Sequence, residues 1–198
     1  MEHKIIFATG NEGKMKEIRE ILGDLKVPVE SMKEANIDID IEENGTTFEE
    51  NSLIKATEVA KHTEAIVLAD DSGLEIDALD KEPGVHSARY LGEDTPYDIK
   101  NKEILIRMDD VSWTKRTARF VCAITAVFPD GLHKTVRATM EGLIGYEAAG
   151  ENGFGYDPIF YVPEFDCTSA QLTMEQKNKI SHRGKALEMI KEEIKKHL

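Results

Sequence analysis

A chain of 198 residues, 40% hydrophobic and 32% charged, has the composition of a globular protein able to bury a sizeable core. No apolar run approaches the ~20 residues that span a bilayer, and the opening MEHKIIFATG lacks the apolar region of a signal peptide, so a cytoplasmic location is expected. The net charge of −13, with no basic footprint, argues against a nucleic-acid polymer as partner, whereas a small anion could bind where local donors, cations or a metal offset the global field.

Lys4 to Ala8 reads as a strand, Gly10 and Gly13 bracket a loop, and Met15, Ile18, Ile21 and Leu22 form the apolar stripe of a helix. Ile37, Ile39 and Ile41 alternate with acids, which predicts a half-exposed strand ending at Asn44-Gly45. A helix follows, opened by a capping box of Thr46 with Glu49 or Thr47 with Glu50. AIVLADDSGLEIDAL predicts a buried strand, an acidic turn, and an alternating segment with Leu74, Ile76 and Ala78 on one face. PGVHSARY reads as loop and YDIKNKEILIRM as helix. Two long strands meet at Pro129-Asp130-Gly131, a hairpin signal. A glycine-bearing loop, AAGENGFGYDP, leads to a short strand, PIFYV, then a short helix and a long terminal one. Cys122 lies in an apolar run, far from Cys167, so neither a disulfide nor zinc-site spacing is implied. The expected fold is mixed α/β. Two lobes are compatible with it, but no linker marks a boundary.

Four stretches could carry chemistry. The first is TGNEGK: Thr9, Gly10, Asn11, Glu12, Gly13 and Lys14. It follows a strand and opens a helix, whose unpaired N–H groups and dipole favour a phosphate. It is not a Walker A loop, because Ala8 stands for the first glycine and Met15 for the Ser/Thr. An ordinary strand-to-helix turn is the other reading. The second is the acid set Glu42, Glu43, Asp70 and Asp71, each pair ending an apolar run. Hard oxygen ligands there suit Mg²⁺, which takes one or two carboxylates plus substrate phosphates; solvated strand ends and a turn cap are the alternative. Ser72 could meet a ligand oxygen or cap the turn.

The third is ENGFGYDP. Phe154 and Tyr156 offer π-faces, Gly153 and Gly155 free the backbone, and Asp157 is restricted by Pro158. A planar base could stack there and bond the carboxylate, or the aromatics could pack into the core. The fourth is KNKISHRGKA. His182 and Arg183 fall in the first turn of the last helix, where cations oppose the dipole, which suggests a bound acceptor or anion, a solvated helix start being the other reading; Lys177 can point to the same region. A nucleoside triphosphate with Mg²⁺ would use all four stretches.

TGNEGK, EENGTTFEENSLIKA, ADDSGLEIDAL, PGVHSARY, ARFVCA, GFGYDPIF and LTMEQKNKISHRGKA, in this order over almost the whole chain, resemble the inosine triphosphate pyrophosphatase family, and its bacterial dITP/XTP branch in particular. The resemblance implies a long curved mixed sheet with helices forming two lobes around a central active-site cleft, and a homodimer. It implies Mg²⁺-dependent hydrolysis of dITP, ITP and XTP to the monophosphate and pyrophosphate, clearing deaminated purines. By position, Thr9 to Lys14 would hold the triphosphate. Asp71 would be the catalytic carboxylate, as general base or metal ligand, with Ser72 touching substrate. Glu42 would be the other Mg²⁺ ligand, unless Glu43 shares or takes that role. Phe154, Gly155, Tyr156 and Asp157 would form the base pocket, with Lys177, His182 and Arg183 on base or phosphate. Asp80-Lys81 and Asn152 depart from the family's usual glycines. The competing readings are an NTP phosphatase, a Maf-like nucleotide pyrophosphatase, a non-catalytic nucleotide sensor and an acidic interaction scaffold, the last of which leaves TGNEGK and SHRGKA without a purpose.

Overall fold

The computed structural model describes residues 3–198. β1 (Ile5–Phe7) is an unbroken apolar triplet, buried throughout, as suits a strand covered on both faces. α1 (Glu12–Leu22) starts at Asn11, whose side chain accepts from the Lys14 N–H, and buries Met15, Ile18 and Leu22 at helical spacing. The short β2 (Val29–Ser31) follows. α2 (Phe48–Ala60) is capped by Thr47, whose hydroxyl accepts from the Glu50 N–H, while the Glu50 carboxylate reaches back to the N–H and hydroxyl of Thr46; Thr47 is thus the cap, with the return bond of the expected box made one residue earlier.

β3 (Ile66–Ile76) brings the first correction. LADDSGLEI contains no turn: the strand runs straight through Asp70 and Asp71. The second correction concerns Ile37, Ile39 and Ile41. Their alternate burial is real, since they pack against Ile6, Ala56 and Val67, but the segment forms no strand. Ala78 is exposed, in a 3₁₀ turn after β3.

PGVHSARY contains a 3₁₀ helix over Gly84–Arg89, where a loop was expected. Asp80 and Lys81 adopt left-handed backbone, φ 53° and 71°, the region glycine enters most easily. α3 (Tyr97–Arg107) precedes the long strands β4 (Thr117–Val127) and β5 (His133–Ile144), whose connection is closed by the Gly131 N–H on the Phe128 carbonyl. β6 (Phe160–Val162), β7 (Cys167–Thr168), α4 (Met174–Ile180) and α5 (His182–Lys195) complete the order.

Among the described residues, seven strands form one mixed sheet, ordered β2-β1-β3-β4-β5-β6-β7. β1 pairs parallel with β2 and β3, placing Ile5 beside Val29 and Ile66, while β6 pairs antiparallel with β5 and β7. The fold is therefore α/β, as expected. The chain divides into two compact units. One comprises the described residues up to Asp71 with Cys122–Ala138 and Arg183–Leu198; the other comprises Ser72–Val121 and Thr139–His182.

The first unit packs both faces of β1. Ile5 and Phe7 meet Met15, Ile18 and Leu22 of α1 and Leu187, Ile190 and Ile194 of α5, whereas Ile6 and Ala8 meet Ala56 and Val59 of α2. The second unit is built around Leu74, Ile76, Ile104, Met108, Phe120, Met140 and Phe160. In it Arg116, only 1% exposed, donates to the carbonyls of Met108, Val111, Ile144 and Gly145.

Candidate active site

In the first unit, the predicted residues gather around the middle of β3. Asp70 is 2% exposed. Its Oδ2 accepts from Lys14 Nζ at 3.2 Å and lies 3.7 Å from Arg183 Nε. Arg183 also pairs with Glu17 through Nη1 at 3.5 Å. The anion predicted opposite the basic start of α5 is therefore, in part, the protein's own.

Asp71, half-buried, accepts at Oδ2 from Asn51 Nδ2 at 3.1 Å. Lys55 Nζ donates to the Asp70 carbonyl at 2.8 Å and pairs with the Glu43 carboxylate. Glu42 is exposed on the same stretch, and Glu43 is half-buried. At the start of α1, Thr9 Oγ1 accepts from the Asn11 N–H, and Gly10, Asn11, Glu12 and Gly13 are exposed. With the Asn11 and Lys14 N–H groups already bonded to side chains, the N–H groups of Glu12 and Gly13 are the ones at this helix start that could meet an anion.

The two adjacent aspartates are driven apart electrostatically. Burial opposes ionisation of Asp70, but Lys14, Arg183 and Lys55 outweigh it and hold the carboxyl down at about 2. Burial pushes Asp71 up to about 6; the Asn51 hydrogen bond and Lys55 pull it down, while the charges of Glu43 and Asp70 push it further up. Burial likewise opposes the charge on Lys55, yet Asp70, Glu43 and Asp71 together raise its pKa. Asp70 is thus a fixed anion that gathers cations. Asp71 is a carboxylate near the point where it can take up or give a proton.

Among the described residues, no three His, Cys, Asp or Glu side chains form a ready-made metal cage. Mg²⁺ does not require one, because water and phosphate oxygens supply most of its ligands. Asp71, with hard oxygen donors and anionic neighbours that raise its pKa, has the chemistry to accept a divalent cation.

In the second unit, the loop ahead of β6 is built on Asp157, which is 3% exposed. Its Oδ2 accepts from the Phe154 N–H at 2.9 Å and from Lys177 Nζ at 2.5 Å, and its Oδ1 accepts from Ser169 Oγ at 2.5 Å. Gly153, at φ 73°, lies so close that a Cβ there would run into the Asp157 carboxylate. The Gly155 carbonyl accepts from Asn101 Nδ2 at 3.1 Å.

The two aromatics of this loop differ. Phe154 is 70% exposed, with Lys177 Nζ 5.2 Å from its ring centroid. Tyr156 is 4% exposed, donates its hydroxyl to the Ser87 carbonyl and packs edge-on against Tyr97. Phe154 thus presents the π-face, and Tyr156 anchors the loop. His182 stacks on Phe120, with centroids 5.2 Å apart and planes 18° from parallel, and Ser72 is half-buried.

Sequence reasoning overlooked Lys55, Asn51 and Ser169. Lys55 had a signal, a lysine inside the apolar pattern of SLIKATEVA. Asn51 and Ser169 had none, because their bonds close over 20 and 12 residues.

The chain matches the model of the Ham1 family over residues 5–193. It is 49% identical over 187 residues to a protein of Exiguobacterium sibiricum named dITP/XTP pyrophosphatase, covering 94% of each chain. It is 46% identical over 198 residues to the protein of that name from Clostridium perfringens, covering 97% of each. Among solved structures, the Staphylococcus aureus Ham1 protein superposes with a TM-score of 0.90 at 42% identity, covering 98% of this chain and 100% of that one. A HAM1 protein from Coxiella burnetii gives 0.91 at 40% identity, covering 98% and 99%.

Proposed function

The chain belongs to the Ham1 family, and on that footing we propose that it is a nucleoside triphosphate pyrophosphatase acting on dITP, ITP and XTP. It would release the monophosphate and pyrophosphate, clearing deaminated purines from the nucleotide pool. The observation that carries this reading is the divided aspartate pair: Asp70 collects Lys14 and Arg183, and beside it Asp71 is held near neutrality.

Cleavage between the α- and β-phosphates needs charge neutralised on both sides of the broken bond. We assign the triphosphate to Lys14, the N–H groups that open α1, and Lys55. Asp71 is deprotonated above about pH 6 and can then accept a proton from the attacking water or serve as a metal ligand. A Mg²⁺ held by Asp71 with Glu42 or Glu43 would supply Lewis-acid charge neutralisation and a more acidic water. We assign the base to Phe154 and the loop that Asp157 and Lys177 shape. Donors at His182 or Arg183 would accept inosine and xanthine, which carry an oxygen at position six. They would leave an adenine donor unpaired, at ~1–3 kcal/mol per buried group.

The test is a product assay across a nucleotide panel with and without Mg²⁺. Pyrophosphate and inosine monophosphate in equal amounts from ITP, lost on chelation, are expected. Orthophosphate as the sole primary product would overturn the reading, and activity on dTTP or UTP with little on ITP would favour a Maf-like enzyme. No helix among the described residues is long and apolar enough to cross a membrane. We propose a cytoplasmic homodimer, to be checked by light scattering.

A further inference from the structure

Asn51 occupies an unusual position for a polar side chain at the start of a helix. It is 1% exposed and sits in the first turns of α2. Its Oδ1 accepts from the Gly45 N–H at 2.8 Å, and its Nδ2 donates to Asp71 Oδ2 at 3.1 Å. The two ends are not interchangeable: turned over, the carboxamide would set oxygen against a carboxylate and N–H against N–H. Gly45 is held close, since a Cβ there would meet Asn51 Oδ1 at 2.7 Å and Glu50 Cβ at 2.8 Å. The cap of α2 needs none of this, being completed by Thr47 and Glu50. One carboxamide therefore connects the end of the Glu42–Gly45 acidic stretch to Asp71, 26 residues on from Gly45.

We propose that Asn51 is a positioning residue for the hydrolytic reaction, fixing the Asp71 carboxylate relative to the acidic stretch through this two-ended bridge. The proposal rests on Asp71 being the catalytic carboxylate. Groups that orient a reacting carboxylate or ligand typically change activity by about 10–100-fold when removed.

The test compares Asn51→Asp, Asn51→Ala and Asp71→Asn by steady-state kinetics on ITP and by thermal melting. Asn51→Asp keeps the shape and the acceptor for Gly45 but removes the donor to Asp71; Asn51→Ala removes both. Each is expected to lower kcat by about 10–100-fold with KM within about threefold; Asn51→Asp, which sets a second carboxyl against Asp71, is also expected to lower Tm and to move the acid limb of the pH profile upward. An unchanged kcat per folded molecule, with only Tm lowered, would overturn the proposal and make Asn51 a packing residue. Failure of both variants to fold would do the same. Normal turnover by Asp71→Asn would instead sink the assignment of Asp71; an inactive Asp71→Asn beside fully active Asn51 variants would sink only the proposal for Asn51.

Discussion

Lys14 Nζ and Asp70 Oδ2 are 3.2 Å apart, joining the first turn of α1 to the middle of β3. Because Asp70 also faces Arg183 at 3.7 Å, its removal takes from Lys14 its carboxylate partner and leaves Arg183 with Glu17 alone. Asp70→Ala is expected to cost about 3–5 kcal/mol, the range for breaking one side of a buried pair. The pH dependence follows. The folded-state pKa of about 2 lies below the ordinary value near 4, so the stabilisation is complete above pH ~4 and is lost as pH falls toward ~2. Urea titrations between pH 5 and 2 should show the parent losing about 2 kcal/mol more than Asp70→Asn.

Asp71 has the opposite sign. Its folded-state pKa is raised to about 6, so its ionised form is disfavoured by folding. That penalty is absent below pH ~4, grows as pH rises, and is complete above about 6. Asp71→Asn should therefore abolish turnover while stabilising the protein at pH 7.5 by about 1–2 kcal/mol, a figure reduced for its half-open side. At ~2–4 °C per kcal/mol, the gain is readable by thermal melting, and it should vanish below pH ~4.

The same group sets an acid limb. If ionised Asp71 is required, kcat/KM for ITP should fall about tenfold per pH unit below about 6. Asp70 stays ionised across that range and should leave no inflection there. A flat profile down to pH 5 would remove Asp71 from the proton inventory.

The loop ahead of β6 offers a separable effect. Asp157→Ala removes the shared acceptor of the Phe154 N–H, Ser169 and Lys177. Unpairing them should raise KM for ITP by about tenfold or more, at ~1–3 kcal/mol per stranded group, with a smaller change in kcat. Ser169→Ala should act in the same direction and more weakly. Gly153→Ala should resemble Asp157→Ala, since its Cβ would displace that carboxylate.

What could be read from the chain alone tracks how local each cause is. The apolar triplet of β1, the stripe of α1 and the turn at Pro129-Asp130-Gly131 declare themselves within a few residues. Asp70 and Asp71 were misread as a turn because adjacent carboxylates disfavour a strand locally. The cations that make the strand tolerable come from Lys14 and Arg183, distant in sequence. The 37–41 segment shows the reverse: its alternation reported burial faithfully, but a strand needs a neighbour with free backbone groups. The motif residues were legible as candidates, but their unequal roles were not. Nothing in GFGYDP says that Phe154 is exposed and Tyr156 buried.

Arg116 gives the second unit a single point of closure. Four carbonyls from two chain segments, at Met108 and Val111 and at Ile144 and Gly145, are satisfied by one planar cation. A lysine has no fork with which to reach both segments. Removing the guanidinium would take a donor from both segments at once, so Arg116→Ala acts on the two together. The arginine is a splice between stretches of chain that lie some thirty residues apart.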